Sequence, residues 1–180
     1  MKYVVHRILS ARMIPVIIWA ITGFIFWYIF ASSYERFLGS AAWDLFPQKE
    51  VFLNLTNHVF TIGLKIPAEG TVPNLTLLGH NFGFGLIITG SIILGTRGRQ
   101  WVLRLVGVLF TWLALFITHI VVLVVAAHTY QNASIQPEIP LEFSIFINLV
   151  HPTVTVLPIV IALIWFVVPF NQYWNRLTLR

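Results

Sequence analysis

Residues 75–127 read LTLLGHNFGFGLIITGSIILGTRGRQWVLRLVGVLFTWLALFITHIVVLVVAA. The stretch contains two long apolar segments, 75–96 and 101–127, which are separated only by the four residues RGRQ. A helix needs about 20 apolar residues to cross the roughly 30 Å hydrocarbon core of a bilayer. Both segments meet that length without a charge near the centre. The sequence therefore predicts two antiparallel transmembrane helices joined by a short basic turn.

Two further segments of the 180-residue chain, 13–31 and 143–169, have the same character. Charged residues make up 9% of the chain, compared with about 25% in an ordinary soluble domain. The mean hydropathy is +0.84, and 58% of the residues are hydrophobic. A soluble fold of this size cannot cover its surface with so few charges. We therefore interpret residues 1–180 as a single integral membrane domain, an all-α membrane protein with four transmembrane helices.

The distribution of charge predicts the orientation of the four helices. With the N-terminus inside, eight of the 11 Lys and Arg residues lie on the cytoplasmic side and all 6 acidic residues lie outside. This distribution satisfies the positive-inside rule. It predicts cytoplasmic termini in a bacterial inner membrane. Anionic lipid headgroups account for the basic face, so the net charge of +5 does not indicate nucleic-acid binding.

Residues 32–74 form the predicted outer segment between the first and second helices. Tyr34, Leu38, Ala41 and Leu45 share one helical face, which predicts an interfacial helix. Residues 58–66 then alternate between apolar and polar side chains, and residues 67–70 form a predicted turn. Residues 71–75 are expected to return as the second strand of a β-hairpin.

The second helix is rich in small residues. Gly79 and Gly83 form a GxxxG pair, and Ser91 and Gly95 repeat that spacing. Small residues at this spacing let helix backbones approach each other closely within a membrane. We expect this helix to pack tightly against a neighbour, or to leave room for a flat cofactor.

Polar residues on the last two helices are the candidate functional residues. Asn148, His151 and Thr155 share one face of the fourth helix, and such a face points into a bundle or a wet cavity. His119 on the third helix is predicted to lie at the depth of His151 in the outer leaflet. His80, near the outer end of the second helix, is predicted to join them.

This pattern leaves three alternatives open. The first is that His119 and His151 bind haem b or another metal centre, and the second is that they flank a quinone. The third is that the polar side chains only hold neighbouring helices together by hydrogen bonds. Catalysis by the chain itself finds little support, because the sequence has no cysteine, no metalloprotease, serine-hydrolase or phosphate-loop motif, and no carboxylate within a predicted span.

The layout resembles a known class of membrane proteins. The first helix carries Trp27 and Tyr28, and an outer segment leads to NLTLLGHNFGFGLIITGSIILGTRGRQW at 74–101 and ITHIVVLVV at 117–125. This order resembles the exosortase and archaeosortase families, and more closely the small multipass proteins associated with exosortases. Exosortases are peptidases that use a cysteine nucleophile, and this chain has no cysteine. The resemblance therefore implies an accessory or scaffold subunit rather than the peptidase.

The sequence favours an accessory or structural subunit of a larger membrane complex, with other integral membrane subunits and lipid as its partners. The alternative is a small redox subunit that binds haem b or a quinone between His119 and His151. No enzymatic activity is expected of the chain by itself.

Overall fold

The computed structural model describes residues 2–46, 51–65, 74–96, 100–135, 145, 148, 156–162 and 164–165. Helix α1 runs over Lys2–Trp43 and is followed by strands β1 (Val51–Thr56), β2 (Val59–Leu64) and β3 (Leu75–Leu78). Helices α2 (Gly79–Gly95) and α3 (Trp101–Ile135) follow. Residues 156–162 and 164–165 are also helical.

Helix α1 is continuous over 42 residues, which corresponds to a length of about 63 Å. The sequence predicted a transmembrane helix over 13–31 followed by a separate interfacial helix. The structure corrects this prediction, because the proposed interfacial helix is the last part of α1. No proline or glycine lies between Ala31 and Leu38 to break the helix, and Leu38 and Ala42 are buried against the rest of the fold.

The described strands form an antiparallel sheet in the order β1–β2–β3. Strands β1 and β2 are joined by a two-residue turn, Asn57-His58, in which both φ angles are positive (51° and 64°). This geometry is that of a type I′ hairpin turn. The predicted strand within 58–66 is confirmed as β2. Strand β1, which pairs with β2 on its other edge from β3, was not predicted.

Residues 75–78 pair with β2 as strand β3, and Val59 is opposite Leu78. The sequence placed the start of the second helix at residue 75, and this boundary is wrong: α2 begins at Gly79. The backbone groups of 75–78 form hydrogen bonds with β2 in place of a first helical turn. Of the predicted return strand over 71–75, only residue 75 lies in a described strand.

Two stretches of the described helices are long and apolar enough to cross a membrane, residues 13–43 of α1 and 101–132 of α3. The apolar part of α2, residues 81–95, is shorter. The predicted third span over 101–127 therefore falls within α3. Most of the fourth predicted span, 143–169, lies outside the described residues.

The hydrophobic core lies where the last turns of α1 and α3 meet the sheet. Its buried members come from α1 and the residues just after it, the sheet, α2 and α3: Leu38, Ala42, Phe46, Val51, Phe60, Ile62, Phe82, Val122, Leu123, Ala126, Ala127 and Tyr130. Burial of Phe60 and Ile62 matches their predicted position on one face of a strand. The sheet is thus fixed to the ends of the helices by apolar contact, which removes its inner face from water.

Glycines bring α1 and α2 into close contact. A Cβ atom on Gly83 would overlap the indole of Trp27, and one on Gly95 would lie 2.6 Å from Val16 Cγ2. From the other helix, a Cβ on Gly23 would lie 3.2 Å from Ile87. These contacts confirm the predicted tight packing of the small-residue face of α2.

Candidate functional site

His119 is buried on the inner face of α3 and forms a hydrogen bond with Tyr34 of α1. The Tyr34 hydroxyl lies 2.7 Å from His119 Nδ1. The side chain of His119 is 1% exposed, and its ring centroid lies 4.8 Å from that of Phe82 on α2. Among the described residues, Nε2 has no hydrogen-bond partner. His119 therefore joins three helices and retains one unused nitrogen.

The position of His119 follows from helical periodicity. Thr111, Leu115, Val122 and Ala126 are also buried and share its face of α3 at spacings of three or four residues. A histidine within this stripe must point into the fold. Tyr34 reaches it because α1 continues as a helix beyond the predicted end of the first span.

A second polar pair lies beside the first on α1. Glu35 is 1% exposed, and its Oε2 atom lies 2.6 Å from Nδ1 of His58, whose side chain is 35% exposed. His58 occupies the second position of the β1–β2 turn. The other carboxyl oxygen of Glu35, Oε1, is buried without a hydrogen-bond partner among the described residues.

The carboxyl group of Glu35 lies against the first residue of α2. A Cβ atom on Gly79 would approach Glu35 Oε1 to 2.5 Å, and the Gly79 N–H donates a 2.7 Å hydrogen bond to the His58 carbonyl. The N-cap residue of α2, Leu78, provides no side-chain hydrogen bond. A carboxylate at this position interacts favourably with the positive end of the helix dipole.

A groove of about 520 Å³ runs between α1 and α2. Its aromatic lining comes mainly from α1, and α2 adds Leu86, Ile87, Leu94 and small residues. The aromatic side chains are Trp19, Phe26, Trp27, Phe30, Tyr34 and Trp112. Tyr34 therefore both lines the groove and contacts His119.

The structure describes the side chains of two of the predicted site residues, His119 and Asn148. His119 is buried, whereas His151 and Thr155 lie outside the described residues. Asn148 is helical and exposed. His80 is in the first turn of α2, and its side chain is not described. Among the described residues, no three His, Asp or Glu side chains form a group that can hold a metal ion.

Sequence reasoning missed Tyr34, Glu35 and His58 as site residues. Glu35 was assigned to the outer surface with the other acids. Its spacing to Leu38 and Ala42 places it on the buried face of α1, and that spacing was the available signal. The pairing with His58 has no local signal, because 23 residues separate the two.

No protein family, curated protein or solved structure was found to match this chain. The resemblance to exosortase-associated proteins stays a prediction.

Proposed function

We propose that this chain is an integral membrane protein that serves as an accessory subunit of a larger complex, with α1 packing against helices of a partner subunit. The supporting observation is the exposure of α1. Within the part of the chain that the structure describes, none of the residues in its apolar 18-residue window is buried. The corresponding window of α3 is 33% buried. Helix α1 therefore has the larger free apolar surface.

An exposed stripe on α1 provides the proposed contact surface. The stripe consists of Ile14, Ile18, Ile21, Ile25 and Tyr28, all more than half exposed. Their spacing alternates between four and three residues, which is the repeat by which two helices pack side by side. Membrane helices associate through close packing of this kind.

The stripe is separate from the surface that contacts α2. The α2 contacts of α1 include Gly23 and Trp27, which lie about half a helical turn from Ile21 and Ile25. A partner helix can therefore pack on the stripe while the α1–α2 contact stays intact.

Blue-native electrophoresis of the protein, extracted from its native membrane in mild detergent, tests this proposal. We expect a complex that contains a second protein in fixed ratio, and we expect Ile18→Ala with Ile21→Ala to dissociate it. The control is Leu109→Ala with Leu113→Ala, an equally exposed pair on α3. A monomer, a complex of this chain alone, or equal dissociation by both double variants contradicts the proposal.

The contacts of His119 favour a second candidate function, a small redox subunit that binds haem b or a quinone. Histidines that bind metals commonly hold their other nitrogen in a hydrogen bond, as Tyr34 does here with Nδ1. The Nε2 atom has no partner among the described residues. With the ring proton on Nδ1 it would be able to ligate haem iron, and with the proton on Nε2 it would be able to donate to a quinone oxygen. The proposed second histidine, His151, lies outside those residues.

An optical spectrum and an organic extract of the purified protein test the redox candidate. Haem b gives a Soret band that we expect His119→Ala to abolish and His128→Ala to leave unchanged, because His128 is exposed. A bound quinone appears in the extract of the wild type and not in that of His119→Ala. A colourless protein without extractable quinone excludes this candidate.

A further inference from the structure

We infer that the groove between α1 and α2 binds a single-chain amphipathic lipid, whose headgroup oxygen accepts a hydrogen bond from the Tyr34 hydroxyl. This inference rests on the proposed membrane location and does not depend on a partner subunit or on haem. Three observations support it: the dimensions of the groove, the pairing of its polar atoms, and the position of Tyr34.

The groove has the dimensions of a ligand site. Its volume of about 520 Å³ lies within the range of small-molecule pockets. From Trp19 to Tyr34 it follows α1 for 15 residues, or about 22 Å of helix. A site that is long and follows a single line between two helices suits one extended hydrocarbon chain better than the two chains of a phospholipid.

Three polar side chains along the groove are already paired within the protein. The hydroxyl of Thr22 donates to the Ile18 carbonyl (3.0 Å), and that of Ser91 donates to the Ile87 carbonyl (2.6 Å). The indole N–H of Trp112 donates to a main-chain carbonyl of α2 at 3.1 Å. The middle of the groove therefore presents an apolar surface, and transfer of a hydrocarbon chain to it is favourable.

Tyr34 supplies the polar end. A neutral imidazole has one N–H, carried on either Nδ1 or Nε2. Because Nε2 of His119 has no partner among the described residues, a proton on Nδ1 avoids burying an unpaired N–H. Nδ1–H then donates to the Tyr34 oxygen, and the Tyr34 O–H is free to donate to a ligand. The ligand must therefore carry an acceptor oxygen, as fatty acids and quinones do.

Tryptophan fluorescence measures the binding directly, because Trp19, Trp27 and Trp112 line the groove. The full-length protein in detergent is titrated with bromostearic acid, with decylubiquinone and with a brominated phosphatidylcholine. We expect saturable quenching at one molecule per chain by the fatty acid or the quinone, and weak, non-saturating quenching by the phospholipid. The compound whose quenching saturates shows whether the groove binds a fatty acid or a quinone.

Matched variants locate the site. Thr22→Phe fills the groove and should abolish saturable quenching, whereas Ile21→Phe, on the opposite exposed side, should not change it. Tyr34→Phe should weaken binding by about two- to tenfold, the effect of one lost hydrogen bond. Tyr28→Phe, 90% exposed and outside the groove, serves as its control.

Three results overturn the inference: quenching that never saturates, saturable quenching that survives in Thr22→Phe, or equal affinity for Tyr34→Phe and the wild type. Circular dichroism and gel filtration establish that each variant is folded. If Tyr34→Phe does not fold, Thr22→Phe still decides the location, because Thr22 is exposed and its hydrogen bond to the Ile18 carbonyl lies within α1. The titration uses the isolated chain, so its failure is distinct from a failure to find a partner subunit.

Discussion

Replacing His58 with alanine should destabilise the protein far more than an ordinary substitution in a surface turn. His58 is part of an exposed hairpin turn, but its imidazole is 2.6 Å from a carboxyl oxygen of Glu35, which is 1% exposed. Without the imidazole, Oε2 joins Oε1 as a buried oxygen that lacks a hydrogen-bond partner among the described residues. A buried polar group without a partner retains its full cost of desolvation.

The structure sets the size of the expected effect. Breaking a buried pair from one side costs about 3–5 kcal/mol. His58 is 35% exposed, so water can enter the space that its ring leaves and solvate part of the carboxyl group. We therefore expect a loss of about 2–3 kcal/mol in the free energy of unfolding. Removing a fully exposed side chain changes this free energy by less than about 0.5 kcal/mol.

Reversible unfolding in mixed micelles, followed by circular dichroism, measures the difference. His128→Ala is the matched control, because it removes an exposed imidazole from α3. Combining His58→Ala with Glu35→Gln completes a double-mutant cycle, in which we expect a coupling energy of at least about 1 kcal/mol. Equal losses for His58→Ala and His128→Ala, or a coupling energy near zero, would refute the reasoning.

Three further predictions concern the packing and the turn. Gly83→Ala should lower the midpoint of thermal unfolding more than Gly90→Ala, which thermal melting of both variants in detergent measures. A Cβ at Gly83 overlaps the Trp27 indole, whereas one at Gly90 lies 3.2 Å from its nearest neighbour. Asn57→Val should lower the free energy of unfolding by about 1–2 kcal/mol, because a β-branched side chain is strained at the φ angle of 51°. Asn57→Gly should leave this free energy almost unchanged, because glycine adopts positive φ angles readily. Chemical unfolding measures both. Phe60→Ala should cost about 3–5 kcal/mol in the same measurement, since Phe60 is fully buried.

Apolar length and helical periodicity predicted the main helices but not their boundaries. The start of α3 at Trp101 was predicted, because the basic sequence RGRQ precedes it and the apolar segment begins there. The boundary at residue 75 was misplaced because LTLL and the helix after it are equally apolar, so hydropathy does not separate strand from helix there. Only the pairing of 75–78 with β2, a contact distant in sequence, decides between them.

The β1–β2 hairpin was missed because its turn lacks the usual signal. Type I′ turns favour Asn-Gly, and this chain has Asn57-His58. A histidine at a positive φ angle is uncommon, and its use here has a reason in the fold: the imidazole at this position reaches Glu35. Counting residues along the helix predicted the depth of His119 in the membrane, but its contact with Tyr34 depends on how α1 and α3 pack.

The single continuous helix α1 has a mechanical consequence. One rod of about 63 Å extends from Lys2 to Trp43, and its last turns are fixed to the sheet by buried contacts. Pro15, which lies inside the helix, removes a backbone hydrogen bond there. A tilt of about 10° around Pro15 would move Trp43, about 42 Å further along, by about 7 Å. A partner or lipid that binds α1 near residues 14–28 and changes the tilt of the helix therefore also moves the β1–β2 hairpin, which packs against the C-terminal end of α1.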